Sequence, residues 1–149
     1  MRATEISAGV SAIIPTYNRR ELVQRAIDSV LAQTQPVDEI LIVDDGSTDG
    51  TGEALKARYG DRIRYHWQPN AGVSAARNTG MSIATGRYFA LLDSDDLWRP
   101  EKTARQVEWL DAHPDFGLVL CDVVRVDDAG QPYDVFVRRD VLPEDGWAL

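Results

Sequence analysis

The sequence predicts an α/β domain with a mostly parallel central sheet flanked by helices. Short apolar runs alternate with segments that repeat apolar side chains at helical spacing. A strand followed by a helix, repeated along the chain, is the pattern of parallel sheets. Several of the apolar runs end in aspartate or in Tyr17 and Asn18, which places polar side chains at the carboxyl ends of strands. Ligands bind at that edge in open α/β sheets.

The first part of the chain alternates strand and helix signals. Residues 10–15 are a short apolar run that ends in proline, as in a buried strand, and residues 20–32 carry apolar side chains at helical spacing. Residues 39–44 form a second apolar run, which stops at a loop of Gly, Ser, Thr and Asp. Residues 50–59 are then predicted to form a short helix, and residues 63–67 a third strand with alternating sides.

The middle of the chain continues the same alternation. Residues 73–84 are predicted to form a helix of small side chains that lies close to the sheet. Arg77 is the outlier on this helix, and it either reaches a ligand or pairs with a strand-end aspartate. Residues 88–92 predict a fourth strand that ends in aspartates. Residues 100–112 predict a helix with proline and glutamate in its first turn.

The last part of the chain is predicted to hold a pair of strands. Residues 117–126 are an apolar run that predicts a strand, with Cys121 as a core residue and not a nucleophile. Residues 127–130 have the composition of a turn, and residues 131–137 predict the returning strand. The apolar residues of 138–149 follow neither the helical nor the strand spacing.

Composition and length indicate an ordinary globular protein. The 149 residues are 44% hydrophobic and 27% charged, and this length suits one domain with one core. No apolar run is long enough to span a bilayer. The N-terminal residues lack the apolar stretch of a signal peptide, and a single cysteine cannot form an internal disulfide. We therefore expect a cytoplasmic protein.

The net charge of −8 is unevenly distributed. Residues 1–90 carry 10 acidic and 10 basic side chains, so residues 91–149 hold the entire acidic excess. Nucleic acid is not expected as a partner, because a phosphate backbone requires a basic surface. A local acidic excess suits a site for a divalent cation, although a solvated acidic surface is the commoner cause.

Three carboxylates, Asp93, Asp95 and Asp96, follow the strand predicted at 88–92. Repulsion and desolvation make this arrangement costly unless a cation or solvent compensates. Mg²⁺ or Mn²⁺ typically takes one or two carboxylates together with substrate phosphates. Asp93 and Asp95 would face the same side of an extended chain and are the candidate metal ligands. A solvated turn, with Asp96 capping a helix, is the structural alternative.

The loop after the second strand carries Asp45, Ser47 and Asp49, with the spacing of the early ligands in a calcium-binding loop. Lys56 stands where such a loop requires a bidentate glutamate, and no helix enters the loop, so that interpretation is rejected. A turn that caps the helix at Gly50 explains Ser47 and Asp49. It leaves Asp45 unexplained, at a strand end where its carboxylate could accept hydrogen bonds from a nucleobase.

Two other classes of α/β protein also carry strand-end aspartates. A receiver-like signalling domain requires an acidic pair after its first strand and a lysine late in the sheet, but Lys56 and Lys102 lie on predicted helices. A haloacid-type phosphatase is suggested by Asp44 and the residues after it. Its nucleophile requires Asp-x-Asp at the strand end, and this spacing is absent there. Both classes remain alternatives.

Four segments together resemble the N-terminal part of the family 2 glycosyltransferases, which have the Rossmann-like GT-A fold. They are Ser11-Ala-Ile-Ile-Pro-Thr-Tyr-Asn18, Ile42-Val-Asp-Asp-Gly-Ser-Thr-Asp49, Asn70-Ala-Gly-Val-Ser-Ala-Ala-Arg-Asn-Thr-Gly80 and Leu92-Asp-Ser-Asp-Asp-Leu-Trp98. Their order and spacing are those of the family. The resemblance implies transfer of a sugar from a nucleotide-diphospho-sugar, with a UDP-sugar favoured, to an acceptor hydroxyl with inversion.

The resemblance also implies roles for the residues of the nucleotide pocket. Pro15 and Tyr17 would line the pocket for the base and ribose. Asp45 would accept a hydrogen bond from the base, and Arg77 would contact the base or a phosphate.

The aspartates after the fourth strand would serve the cation and the donor. Asp95 would be the main protein ligand of Mn²⁺ or Mg²⁺, and Asp93 would lie near the ribose, the donor sugar or the metal. The metal would bridge the diphosphate and neutralise charge on the leaving group.

The sequence departs from the family at the catalytic base, which in the family lies well beyond the metal motif. Glu144 and Asp145 resemble the usual acidic pair, but they follow Asp95 too closely and no helix follows them. We therefore expect residues 1–149 to be a single, incomplete donor-binding domain, with the base and the acceptor-binding part beyond Leu149. The expected acceptor is a carbohydrate or a lipid-linked group in cell-envelope polysaccharide synthesis. Peripheral membrane association through that acceptor is left open.

Overall fold

The computed structural model describes residues 7–127 and 129–136. Its strands are β1 (Ser7–Thr16), β2 (Glu39–Asp44), β3 (Arg64–Trp67), β4 (Gly86–Leu91), β5 (Val123–Val126) and β6 (Pro132–Phe136). Its helices are α1 (Arg20–Leu31), α2 (Thr51–Tyr59), α3 (Val73–Ile83) and α4 (Lys102–Ala112), with a 3₁₀ turn at Gly60–Arg62. The chain divides into two compact units, Met1–Thr103 and Ala104–Leu149.

In the first unit, the described residues form a parallel four-stranded sheet with the order β3-β2-β1-β4. The apolar runs predicted to be strands therefore lie side by side, and the α/β class with a parallel sheet is confirmed. The central strands β1 and β2 are apolar along nearly their whole length because helices cover both of their faces.

Side-chain alternation along the strands builds two layers of core. Ala12 and Ile14 of β1, with Ile40 and Ile42 of β2, pack among the buried residues of α1 and α2. The intervening positions face the other side of the sheet, where α3 lies. The buried residues of that layer are Ile13, Leu41, Val43 and Ala76.

Helix α3 approaches the sheet closely because its residues are small, as predicted. A Cβ added at Gly80 would lie 2.4 Å from Ile13 Cγ2 and 3.3 Å from Val43 Cγ2. Any side chain at position 80 would therefore push the helix away from β1 and β2. The close packing fixes the start of α3, and with it the loop at residues 70–72, over the carboxyl end of β2.

The second unit contains one clear departure from the sequence-based expectation. A strand was predicted over residues 117–126 with Cys121 in a core, but β5 begins only at Val123. Leu118 and Leu120 are each 70% exposed, and Cys121 is also exposed. Apolar composition was a poor guide here, since the described part of this unit pairs β5 with β6 alone, and a two-stranded hairpin buries little.

The turn between β5 and β6 agrees with the prediction. The Gly130 N–H donates to the Asp127 carbonyl at 2.9 Å, and Gly130 has the positive φ of 77° that favours glycine. Across residues 7–127 and 129–136, no helix has the length and apolar character needed to cross a membrane.

Candidate functional site

The carboxyl ends of β1, β2 and β4 meet at one edge of the first unit's sheet. Thr16 pairs with Asp44, and Leu91 pairs with Ile13, three residues earlier on β1. Backbone hydrogen bonds continue past the strands, from Asp45 N–H to the Thr16 carbonyl at 2.9 Å and from Leu92 N–H to the Ile13 carbonyl at 3.0 Å. The three polar clusters singled out in the sequence therefore converge on this edge.

The loop between β1 and α1 is tied to the loop after β2. Asn18 has a φ of 50°, unusual for a residue other than glycine. Its N–H donates to Ser47 Oγ, and its Oδ1 accepts from the Thr48 N–H, each at 2.8 Å. These bonds hold the backbone next to Tyr17, whose side chain is 50% exposed at the sheet edge. Pro15, two residues earlier, is buried within β1 opposite Val43.

Asp45 is a buried carboxylate that is almost fully hydrogen-bonded by the protein. It accepts from Gln68 Nε2 at 2.7 Å, from the Ala71 N–H at 3.0 Å and from the Gly72 N–H at 2.8 Å. Burial alone would raise the pKa of this carboxyl, but the donors outweigh it and hold the pKa below its usual value. The group is therefore ionised at neutral pH. A carboxylate has about four acceptor positions, which leaves roughly one for a ligand.

The neighbouring Asp44 has a different environment. It is 1% exposed, and it accepts hydrogen bonds from the Tyr65 hydroxyl and from the Ser47 N–H. A nucleophile must reach its substrate, and this carboxylate faces the core with both oxygens engaged. The haloacid-type phosphatase therefore loses its candidate nucleophile. Asp49 accounts for the helix start, since its Oδ1 accepts from the N–H and the hydroxyl of Thr51 in the first turn of α2.

The segment after β4 forms a turn and not the extended chain assumed from the sequence. The Asp96 N–H donates to the Asp93 carbonyl at 3.0 Å and closes the turn. Two buried residues, Leu92 and Trp98, flank it, and the Trp98 N–H donates to Ser29 Oγ of α1 at 3.1 Å. The aspartates are thus presented on a short turn that is anchored in the core at both ends.

Each of the two candidate metal ligands is paired with its own arginine. Arg77 Nη2 bonds Asp93 Oδ1, so this outlier of α3 pairs with a strand-end aspartate. Arg19 Nη1 lies 2.7 Å from Asp95 Oδ2, and both of these side chains are 45% exposed. Burial, followed by the charges of Asp95 and Asp93, raises the pKa of Asp96. The neighbouring carboxylates thus add to burial in disfavouring the ionised form of Asp96.

The turn suits a cation that arrives with other ligands. Within the described residues, no group of three or more His, Cys, Asp or Glu side chains could hold a metal alone. Asp93 and Asp95 would supply two carboxylates, and Mg²⁺ or Mn²⁺ in many enzymes is held by that number together with substrate phosphates and water.

Several residues of this edge were not singled out by sequence reasoning. Arg19 carried a signal, because an arginine at the start of a helix opposes the usual capping preference. Gln68 and Thr16 carried none. Thr16 Oγ1 is the one buried side-chain polar atom of the described residues without a hydrogen-bond partner. Glu144 and Asp145, considered as the catalytic base, lie outside the described residues.

Comparisons with known proteins agree with this architecture. The chain is 45% identical over 102 residues to an uncharacterized glycosyltransferase of Rickettsia bellii, covering 68% of this chain and 15% of that protein. It is 42% identical over 104 residues to a Bacillus subtilis protein provisionally named a teichuronic acid biosynthesis glycosyltransferase, TuaG, covering 68% and 41%. The chain thus spans less than half the length of these relatives.

Solved structures are similar as well. Staphylococcus aureus TarS, residues 1–349 with UDP, has a TM-score of 0.65 and 27% identity, covering 71% of this chain and 33% of that one. The mannosyltransferase PcManGT of Pyrobaculum calidifontis, in complex with GDP-Man and Mn²⁺, has a TM-score of 0.66 and 31% identity, covering 83% and 39%. The GT-A fold is confirmed. The family model described as Glycosyl transferase family 2 matches residues 11–138, and the chain belongs to that family.

Proposed function

We propose that this chain supplies the donor- and cation-binding part of an inverting, metal-dependent glycosyltransferase. The observation that carries the proposal is the meeting of Tyr17, the Asp45 loop and the Asp93–Asp96 turn at one sheet edge. A nucleotide-diphospho-sugar needs a surface for its base, a partner for its diphosphate and a cation, and this edge offers groups for all three.

In this proposal, the nucleoside lies against the end of β1 and the loop after β2. The exposed ring of Tyr17 would offer a stacking surface, and Pro15 would line the pocket for the base and ribose with it. Asp45 has about one acceptor position left for a base N–H. Its three protein donors fix the direction of that position before the ligand arrives, which lowers the ordering cost of binding.

Asp95 and Asp93 would hold the cation, Mn²⁺ or Mg²⁺, together with the diphosphate oxygens. When bound, this cation supplies charge neutralisation for the departing nucleoside diphosphate. Arg77, now on Asp93, has room to contact the base or a phosphate from the same position, since its side chain is 32% exposed. The complexes of TarS with UDP and of PcManGT with GDP-Man and Mn²⁺ support this choice of ligands.

Inversion would follow from in-line attack by an acceptor hydroxyl whose proton is removed by a carboxylate. In this proposal the base lies outside residues 7–136. The acceptor is proposed to be a carbohydrate or lipid-linked group of the cell envelope, and the naming of TuaG for teichuronic acid biosynthesis supports a polysaccharide pathway. The proposed location is the cytoplasm, with contact to the membrane surface through the acceptor.

Binding calorimetry with UDP, GDP and dTDP, each with Mn²⁺, with Mg²⁺ and with neither, tests the proposal. We expect one nucleotide to bind, and to bind more tightly with a cation. Asp95→Asn should remove the cation-dependent part. Asp61→Asn is the matched control, because it makes the same change in the turn before β3, at the opposite edge of the sheet. Absence of binding by all three nucleotides would refute the proposal.

A further inference from the structure

Arg19 occupies a position that its own helix does not favour. It is the N-cap residue of α1, and in the described structure its side chain makes no capping hydrogen bond. Ser, Thr, Asp and Asn are preferred there, since they accept from the free N–H groups of the first turn. A guanidinium at this end also opposes the helix dipole. A residue type that the start of a helix disfavours indicates a role outside that helix.

The role visible in the structure is the ion pair with Asp95. The guanidinium lies 2.7 Å from the carboxylate that is proposed as the main cation ligand. It therefore engages one of the two carboxylate oxygens through which Asp95 would hold a divalent cation. The other candidate ligand, Asp93, has a different partner, because it pairs with Arg77 of helix α3.

The surroundings allow the Arg19 side chain to leave while its backbone stays. The Asn18 backbone and side chain are fixed by Ser47 and Thr48, and the Arg20 N–H donates to Asp49 Oδ2 at 3.3 Å. Beside the loop lies a depression of about 320 Å³, lined by Asn18, Arg19, Arg20, Glu21, Leu22 and Asp49. The half-exposed side chain of Arg19 therefore borders open space as well as Asp95.

We propose that Arg19 is the resident counter-cation of Asp95 and competes with the divalent cation for this carboxylate. The inference rests on the proposed function and adds a positioning residue to it. Arg19 keeps Asp95 in place before the donor arrives, and it weakens the binding of a cation that arrives alone. A cation that brings a diphosphate has further oxygen ligands, so it displaces Arg19 more readily than a cation that arrives alone.

The size of the competition follows from exposure. Both partners are half exposed, and exposed ion pairs contribute at most about 1 kcal/mol. Removing Arg19 should therefore tighten Mn²⁺ binding in the absence of nucleotide by roughly two- to fivefold. A gain is also expected when nucleotide is present, because the cation must break the same ion pair in both cases.

Electron paramagnetic resonance titration of free Mn²⁺, with and without the nucleotide that the wild-type protein binds, measures this effect. The variants are Arg19→Gln, Arg19→Lys and Arg20→Gln. Arg20 pairs with Glu21 at 3.1 Å, so its replacement removes the same charge one residue away without touching Asp95. We expect tighter nucleotide-free Mn²⁺ binding for Arg19→Gln, near wild-type binding for Arg19→Lys, and a smaller change for Arg20→Gln.

The outcomes separate this inference from the proposed function. If the wild-type protein binds Mn²⁺ with nucleotide, but Arg19→Gln changes Mn²⁺ affinity no more than Arg20→Gln, only the role of Arg19 is overturned. Weaker Mn²⁺ binding by Arg19→Gln overturns it as well, because removing a competing cation should not lower the affinity for Mn²⁺. If neither the wild-type protein nor Arg19→Gln binds Mn²⁺ under any condition, both the proposed function and this inference fail.

Discussion

The Gly72 N–H donates a hydrogen bond to the Asp45 carboxylate across 2.8 Å. This bond joins the end of β2 to the residue before α3, and Ala71 and Gln68 add two more bonds to the same carboxylate. A single buried side chain thus fixes the loop between β3 and α3 over the sheet edge.

Asp45→Ala is expected to lower the free energy of unfolding by about 2 kcal/mol, because the three donors lose a charged acceptor and water replaces it only in part. Urea unfolding at neutral pH measures the change. Asp45→Asn keeps one acceptor oxygen, so its free energy of unfolding should lie between those of Asp45→Ala and the wild-type protein. Equal stability of Asp45→Ala and the wild type would show that these bonds do not hold the loop.

The same carboxylate makes stability depend on pH. The folded state holds the pKa of Asp45 below its usual value, so the ionised form stabilises the fold. This contribution is fully present above the unfolded-state pKa of about 3.9. It is lost as the pH falls through that value toward the lower pKa of the folded state. Unfolding free energies measured from pH 7 to pH 3 should fall, and Asp45→Asn should show a shallower decline. An identical decline in both proteins would contradict the assignment.

Thr16→Val should leave the free energy of unfolding unchanged or raise it by up to about 1 kcal/mol. The hydroxyl of Thr16 is buried without a partner in the described structure, and a methyl group of the same shape removes that cost. Thr51→Val is the matched control, because the Thr51 hydroxyl is buried and donates to Asp49. It should lower stability by about 1 kcal/mol. A larger loss for Thr16→Val than for Thr51→Val would mean that Thr16 has a partner in solution.

Gly80→Ala should destabilise the protein by about 1–3 kcal/mol, although alanine is the better helix former. The added Cβ would lie 2.4 Å from Ile13 Cγ2. A double-mutant cycle with Ile13→Ala tests the cause, since that change removes the clashing methyl group. The cost of Gly80→Ala should be smaller in the Ile13→Ala background. Additive effects would show that the contact is not responsible.

Much of the first unit could be predicted from the sequence because its residues face two well-defined environments. The bounds of β2, Glu39–Asp44, match the apolar run, since this strand is buried on both faces and ends where the polar loop begins. The ends of helices were less certain. The helix predicted from residue 100 begins at Lys102, since end residues often leave the regular hydrogen-bond pattern.

The apolar run at 117–126 shows where such reasoning stops. Apolar residues predict burial only when a second layer is available to cover them, and periodicity does not reveal that layer. Leu118 and Leu120 are mostly exposed in the described structure.

The arrangement of the candidate site was predictable in outline but not in detail. Parallel strands bring their carboxyl ends together, so the convergence of the polar clusters followed from topology. The pairing of Arg19 with Asp95 could not be predicted from topology, because it depends on the conformation of two loops and of two side chains. The sequence alone also assumed an extended chain through Asp93 and Asp95, where the structure has a turn.

Asp44 and Asp45 are adjacent in the chain, yet they serve opposite faces of the sheet. One is bound to Tyr65 among the helices α1 and α2, and the other to the loop before α3. Neither residue can substitute for the other, because exchanging them would require β2 to slip by one position. Such a slip would move each side chain of Ile40–Val43 into the opposite core layer, where its shape does not match its neighbours. The register of a buried strand thereby protects the orientation of a single polar group at its end.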